Sequence, residues 1–360
     1  MPAARALLDD PAFVSRLDPR GMYAFAVGFP EQCRAALEIA ESTPIATDGR
    51  AVRQVVLTGL GGSAAGGDFA RALFEAQGDV PFSVNRDYAL PHYVGPDTVV
   101  FATSYSGNTE ETLSAYADAR RRGARIVAVT SGGELARRCA ADKVPVITIP
   151  GGQPPRTAMG FMLVPVLVAA AKLGLLPAQD IAGASAEAEA ASIAWRAESP
   201  TVANEAKRLA LALRGAVGVL YGLGGWQTVV AGRWKGQINE NAKQHVFAHA
   251  LPEMNHNEIL GWEGAHRQGV ARWVTLLLED GTESDRMKLR ATVTLELVAK
   301  ASEAHRVKAS GTTLLGKMLS LALLGDFVSL YLAALNEVDP YTIDSIDLIK
   351  ETLAGRRVGG

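Results

Sequence analysis

Cysteine is scarce in this chain, and the two present, Cys33 and Cys139, lie far apart without metal-ligand spacing. That scarcity excludes a disulfide framework and a zinc knuckle, and it makes a reducing cytoplasm the expected compartment. An excess of charge of either sign is missing too: 36 Lys and Arg stand against 38 Asp and Glu, a net of −2, with no basic tract. Nucleic acid and anionic membrane are therefore not expected as partners. Clean apolar runs are few. Phe161 to Leu176 is short and carries Pro165 and Lys172, while Leu314 to Leu335 is long enough for a bilayer but holds Lys317 and Asp326. Both read as buried helices. The opening MPAARALLDDPAF brings in two Asp before any apolar core develops, so no secretory signal is expected. What remains is an ordinary globular balance, 48% apolar and 21% charged over 360 residues, enough for about two domains.

Residues up to about Ser42 read as helical. Val55 to Leu57, Pro81 to Val84, Thr98 to Ala102, Arg125 to Val129 and Val144 to Ile149 then read as strands, with helical segments between most of them. Such alternation predicts a parallel sheet covered on both faces, a doubly wound α/β fold. After Ala102 comes Ser104-Tyr105-Ser106-Gly107-Asn108-Thr109-Glu110-Glu111-Thr112, leading into a helical segment. A strand that turns through small hydroxyl residues into a helix start is an anion trap, because free N–H groups and the positive end of the helix dipole face outward there. No Lys or Arg lies in the loop, which separates it from a nucleotide P-loop. A monophosphate on a small neutral body fits; so, on these residues alone, does an ordinary Ser/Thr helix cap.

Gly59-Leu60-Gly61-Gly62-Ser63-Ala64 satisfies the dinucleotide pattern G-x-G-x-x-A. The acid expected about 20 residues on is replaced by Asn85-Arg86, which at best would suit NADP. In the rival reading, glycines such as Gly62 let the backbone approach a ligand, and Ser63 offers a hydroxyl beside the Ser104 loop. Two such loops at the C-terminal ends of parallel strands make one site at a switch point. Val219-Leu220-Tyr221-Gly222-Leu223-Gly224-Gly225-Trp226 repeats the pattern of Val56 to Ser63, so the chain reads as internally duplicated. In the second copy Trp226 replaces Ser63, and Glu279-Asp280-Gly281-Thr282-Glu283-Ser284 takes the place of the Ser104 loop. Acids repel phosphate. One phosphate site per chain, in the first half, is the expectation.

The stretches GLGGSAAGGD (Gly59 to Asp68), SYSGNTEET (Ser104 to Thr112), TSGGEL (Thr130 to Leu135), PGGQPPRTAMG (Pro150 to Gly160), NENAK (Asn239 to Lys243) and PEMNHNEI (Pro252 to Ile259), with the segment around Lys350, span almost the whole chain. With them the sequence resembles the bifunctional phosphoglucose/phosphomannose isomerase family of the sugar isomerase (SIS) fold. The resemblance implies two tandem SIS domains, taken as residues 1–175 and 176–360, each a flavodoxin-like parallel sheet flanked by helices. It implies interconversion of glucose 6-phosphate or mannose 6-phosphate with fructose 6-phosphate, without metal or other cofactor. It also implies a homodimer whose active site sits at the interface.

That chemistry needs one base, one group to open the sugar ring, and one cation for the enediolate. Glu240 is the candidate base, since burial can raise a carboxylate pKa toward neutrality. On composition alone an exposed helix-end Glu paired with Lys243 is the commoner case, and the resemblance reverses it. His256 is the candidate for ring opening, because an imidazole exchanges protons near neutral pH. By resemblance it reaches the site from the neighbouring subunit, with Asn255 and Glu258 available to orient it. Arg156 follows Pro154-Pro155, whose fixed φ angles stiffen the loop, and a planar guanidinium suits an enediolate oxygen. Lys350 is a second candidate cation. Ser63, Ser104, Ser106 and Thr109 are assigned to the 6-phosphate. Gly62 and Thr342 are assigned to the sugar, Thr342 lying near the position where the family carries a threonine that helps accept the mannose epimer.

His245 and His249, four apart, would share a helical face, which invites a zinc reading with Glu253 or His256; two histidines are too few ligands for it. Two further readings stay open: a non-catalytic, regulatory sugar-phosphate binder, which has no need for Glu240, Arg156 and His256 together, and a SIS isomerase for another sugar phosphate.

Overall fold

The computed structural model describes residues 2–47 and 49–355. Four helices open it, α1 (Pro2–Leu8), α2 (Pro11–Arg16), α3 (Met22–Val27) and α4 (Phe29–Ser42). The first α/β unit follows as β1 (Gln54–Thr58), α5 (Gly61–Gln77), β2 (Phe82–Asn85), β3 (Thr98–Thr103), α6 (Glu110–Arg121), β4 (Arg125–Thr130), α7 (Gly133–Asp142) and β5 (Val146–Thr148). Its five strands are all parallel, in the order β2-β1-β3-β4-β5. The order reverses between β1 and β3. That is the switch point, and the Gly59 and Ser104 loops both leave from it.

Three helices lead to the second unit: α8 (Met159–Lys172), α9 (Ile181–Ser192) and α10 (Glu205–Leu213). The helical path is broken between α9 and α10. Pro200 lies in the break, where it lacks an N–H and disfavours helix at the residue before it. Asn204 then restarts the helix by accepting from Lys207 N at 3.1 Å. The second unit comprises β6 (Val217–Leu223), α11 (Gly225–Ala242), β7 (Val246–Leu251), α12 (Ile259–Glu263), β8 (Trp273–Glu279), α13 (Asp285–Val298) and β9 (Glu303–Lys308). Its parallel order, β7-β6-β8-β9, repeats the first four strands of the other sheet, as the internal duplication predicts.

The chain closes with α14 (Leu314–Leu335) and α15 (Asp344–Gly355). Among the described residues α14 is long and apolar enough to cross a membrane by length and composition, yet it is packed inside the protein. It contacts α9, α10, α11 and α3, so helices from both halves share it as a central post. Apolar residues on every side of a helix mean burial on every side. At Gly325 the absent Cβ leaves room for the indole of Trp234, whose Nε1 donates to Leu321 O at 2.8 Å. This close approach fixes α11 against α14 and so fixes what the C-terminal end of α11 carries.

Candidate active site

Two uncapped helix starts meet at the first switch point. α5 begins at Gly61 with no side-chain cap, and Thr109, in the capping position of α6, pairs its hydroxyl with Ser104 Oγ at 2.9 Å instead of capping the helix. Apart from Ser63 N, which donates to Leu60 O at 3.1 Å, the first-turn N–H groups of both helices have no side-chain acceptor and can face a guest. Ser63 Oγ accepts from Tyr105 N (3.1 Å), Ser104 Oγ from Gly107 N (3.1 Å) and Ser106 Oγ from Asn108 N (3.3 Å). The expected phosphate loops thus lie side by side. Tyr105, given no role from sequence, ties the neighbouring loops together. Its carbonyl accepts from Ser131 Oγ (2.7 Å), and its hydroxyl oxygen accepts from Gln153 N (3.2 Å).

Gly62 packs against the carbonyl of Pro155, where any Cβ would overlap the oxygen. This contact brings the Arg156 turn, a short 3-10 helix over Pro155–Thr157, onto the start of α5. Arg156 is buried, and its fork is largely committed. Nε donates to Asn241 Oδ1 at 2.8 Å, and Nη2 donates to the carbonyls of Pro340 (2.6 Å) and Tyr341 (3.0 Å). Nη1 faces the Glu240 carboxylate at 3.7 Å. Burial pulls the Arg156 pKa down, and Glu240 opposes that shift. Burial pushes the Glu240 carboxyl up, against the charges of Arg156, Arg233, Lys243 and Lys350. About a third of the Glu240 side chain, 34%, stays open. A raised carboxylate beside a desolvated guanidinium is the pair that proton removal next to a carbonyl calls for.

Lys243 does not pair with the Glu240 carboxylate. It ends α11 at φ 51°, and its Nζ donates to the carbonyls of Glu240 (2.9 Å), Asp339 (2.8 Å) and Thr342 (2.9 Å). Thr342 accordingly sits in the same turn that holds Arg156, with its hydroxyl on Asp339 O at 3.3 Å. Lys350, on α15, is exposed and lies 3.7 Å from Asp347.

His256 is not brought to this cluster within one chain. It is exposed at the end of a 3-10 turn, Glu253–His256. Its neighbours Met254 and Trp262 pack with Tyr221 and Leu277 on one face of the second sheet, whereas α11, with Ile238 and Ala242, packs with Leu220 and Val246 on the other. Glu240 and His256 are therefore separated by the sheet itself. Asn255 and Glu258 do not orient the imidazole either. Asn255 donates to Thr294 Oγ1 (2.8 Å), and Glu258 accepts from Tyr221 OH (2.6 Å) and pairs with His249. These partners claim both side chains.

His249 lies in β7 and His245 immediately before it, not on a helix; the two-residue period of extended chain still puts them on one side, with Phe247 stacked on His245. Among the described residues no group of three or more His, Cys, Asp or Glu is arranged to hold a metal ion. Arg86, the residue that would suit NADP, pairs with Asp68.

A model of the SIS domain matches residues 50–170, and one of the bacterial phospho-glucose isomerase C-terminal SIS domain matches residues 202–353. The chain is 40% identical over 337 residues to a bifunctional phosphoglucose/phosphomannose isomerase of Caldicellulosiruptor bescii, covering 92% of this chain and 99% of that one. It is 35% identical to the protein of the same name from Aquifex aeolicus, covering 86% and 93%. In fold it is similar to the crystal structure of a hypothetical protein from Thermus thermophilus, with TM-score 0.72 at 20% identity, covering 99% of this chain and 94% of that one. Two SIS domains in tandem, with this extent of identity end to end, place the chain: it belongs to the bifunctional phosphoglucose/phosphomannose isomerase family.

Proposed function

We propose that this protein interconverts glucose 6-phosphate and mannose 6-phosphate with fructose 6-phosphate, without a metal, as a cytoplasmic homodimer of chains that divide into domains at about residue 175. The observation that carries the reading is the half-buried Glu240 carboxylate 3.7 Å from a guanidinium whose other donors are tied to the protein. Ser63, Ser104, Ser106 and Thr109, with the starts of α5 and α6, take the 6-phosphate. His256 of a second copy moves the proton that opens the ring. Its exposure, and its place across the sheet from Glu240, support a role in another chain's site.

With the ring open, Glu240 removes the proton at C2 of the aldose. The C–H electron pair becomes the C1–C2 double bond, and the carbonyl pair moves onto oxygen, where Arg156 Nη1 meets the charge. Transfer of the O2 hydroxyl proton to O1, with return of the carbon-bound proton from Glu240 to C1 as the O2 electron pair closes the C2 carbonyl, then gives the ketose. Rotation about C2–C3 presents either face of the enediolate to the same base, so one carboxylate serves both epimers. Thr342 and Lys350 border this space. A purely regulatory sugar-phosphate binder has no use for the Glu240–Arg156 pair.

Hydrogen–deuterium exchange at C1 of fructose 6-phosphate, followed by NMR in heavy water with a chelator, tests the reading. Wild type should exchange and form both aldoses, and Glu240→Gln should bind but slow exchange by on the order of 10²- to 10⁴-fold. Binding without exchange in wild type would remove the isomerase reading for this substrate. Because the working base is the ionised form and its pKa is raised, activity should fall on the acid side above the ordinary carboxylate range. Arg156→Ala removes a charge that lowers Glu240, so it should move that limb higher still.

A further inference from the structure

Behind Arg156 lies a closed circuit of buried hydrogen bonds that the chemistry above does not use. Asp326 sits in the middle of α14, a mostly apolar and buried helix, where an unpaired charge would be costly. Its Oδ2 accepts from Arg233 Nη2 at 2.7 Å and its Oδ1 from Gln237 Nε2 at 2.8 Å. Arg233 reaches on to the backbone carbonyl of Arg156, at 3.5 Å from Nη1 and 3.4 Å from Nη2. From the Arg156 side chain the path returns through Asn241 Oδ1. Asn241 Nδ2 donates to Ser329 Oγ at 2.9 Å, and Ser329 Oγ donates to Asp326 O at 2.7 Å. Arg233, Asn241, Ser329 and Asp326 are all buried.

The spacing has a purpose that core packing does not supply. Arg233, Gln237 and Asn241 recur every four residues on α11, so they line one seam against α14, and Glu240 stands next to the last of them. The seam holds Arg156 twice, once by its backbone and once by its Nε. A guanidinium has five N–H donors in a rigid plane, so fixing Nε and Nη2 fixes where Nη1 points. Building on the isomerase reading, we propose that Asn241, backed by Ser329 and the Arg233–Asp326 pair, is a positioning residue that aims Arg156 Nη1 at the reacting oxygen beside Glu240. It touches no substrate itself.

A double-mutant cycle with fructose 6-phosphate tests this. Asn241→Ala should lower kcat on the order of 10- to 100-fold, the scale of a misplaced catalytic group, with KM nearly unchanged because the phosphate is held elsewhere. In an Arg156→Ala background the same substitution should add nothing. Ser329→Ala, which leaves the buried Asn241 Nδ2 without its acceptor, should move kcat the same way by less and lower the thermal midpoint modestly. An Asn241→Ala enzyme as fast as wild type, or one whose loss adds to that of Arg156→Ala, overturns the proposal.

A second readout does not need turnover. In the free protein, the Glu240 carboxylate followed by carbon NMR should titrate higher in Asn241→Ala than in wild type, because a loosened guanidinium no longer faces it, and no higher than in Arg156→Ala. An unmoved titration overturns the positioning role whatever the activity. A moved titration in a protein that isomerises nothing instead retires the isomerase reading and leaves the aim of Arg156 standing.

Discussion

The two switch points share one backbone plan, and the β3–α6 and β8–α13 loops dispose of their N–H groups in opposite ways. At the first, between β1 and β3, hydroxyls line the loop and the starts of α5 and α6 are uncapped. At the second, between β6 and β8, the loop fills its own cradle. The Glu283 carboxylate accepts from Asp280 N (2.7 Å), Gly281 N (2.8 Å) and Gln227 Nε2 (3.2 Å). Asp280 is held in turn by Lys317 Nζ at 2.8 Å, and that lysine and the Thr282 hydrogen bonds outweigh burial to keep its carboxyl low. Duplicated topology thus supplies two anion-binding frames, and side chains decide which stays open. The second half contributes from the other end of its helix: α11 starts at its own closed switch point and delivers Glu240 to the first half's open one.

The sharpest way to break this contrast is to give the first loop the second loop's charge. Ser106→Glu places a carboxylate where the phosphate is expected, and like charges in such contact cost several kcal/mol. KM for fructose 6-phosphate should rise on the order of 100-fold or more, with kcat at saturation falling far less. Steady-state kinetics read this directly, and a KM within twofold of wild type would place the phosphate elsewhere.

Gly62 and Gly225 occupy matching positions at the starts of α5 and α11, and one methyl group should tell them apart. At Gly62 a Cβ would overlap the Pro155 carbonyl, whereas at Gly225 the nearest atom is Glu75 Oε2 at 3.9 Å. Gly62→Ala should push the Arg156 turn away and cut kcat on the order of 10-fold or more, since small displacements of catalytic groups are costly. Gly225→Ala should leave kinetics alone and hold or raise stability by up to about 1 kcal/mol. Equal effects of the two would mean that the Gly62 contact does not set the site.

Much of this was legible in the sequence because it is carried by local pattern. Apolar runs gave the strands of the first sheet, the repeated Gly-rich turns announced the second unit, and the hydroxyl and acidic loops announced their different fates. The helix break at Pro200 was equally local, and a proline was there to be read. The tethering of Arg156 was not, because Pro340 O and Tyr341 O are backbone acceptors some 184 and 185 positions away and any residue carries a carbonyl. The commitment of Glu258 to Tyr221 and His249 was hidden for a different reason, since motif neighbours on a turn need not face one another. Lys243 was visible as a charge beside Glu240, but its use on backbone carbonyls depends on a left-handed helix end that only the fold defines.

The smallest expected effect is the most direct test of the closed cradle. Glu283→Ala removes an acceptor that satisfies two backbone N–H groups, and the half-buried setting of Glu283 points to a loss of about 1 to 2 kcal/mol. Glu283 lies at the second switch point, so kcat and KM should stay as in wild type. The vacated N–H groups then form an open anion frame like that of the first half. Inorganic phosphate should raise the thermal midpoint of Glu283→Ala, and to keep the first site from contributing, the titration belongs in the Ser106→Glu background. There wild-type Glu283 should show little phosphate stabilisation and Glu283→Ala a clear one, growing with the logarithm of concentration as a ligand of the native state requires. If Glu283→Ala loses stability and phosphate restores none of it, the second loop is a turn held by a carboxylate and not a closed copy of the first.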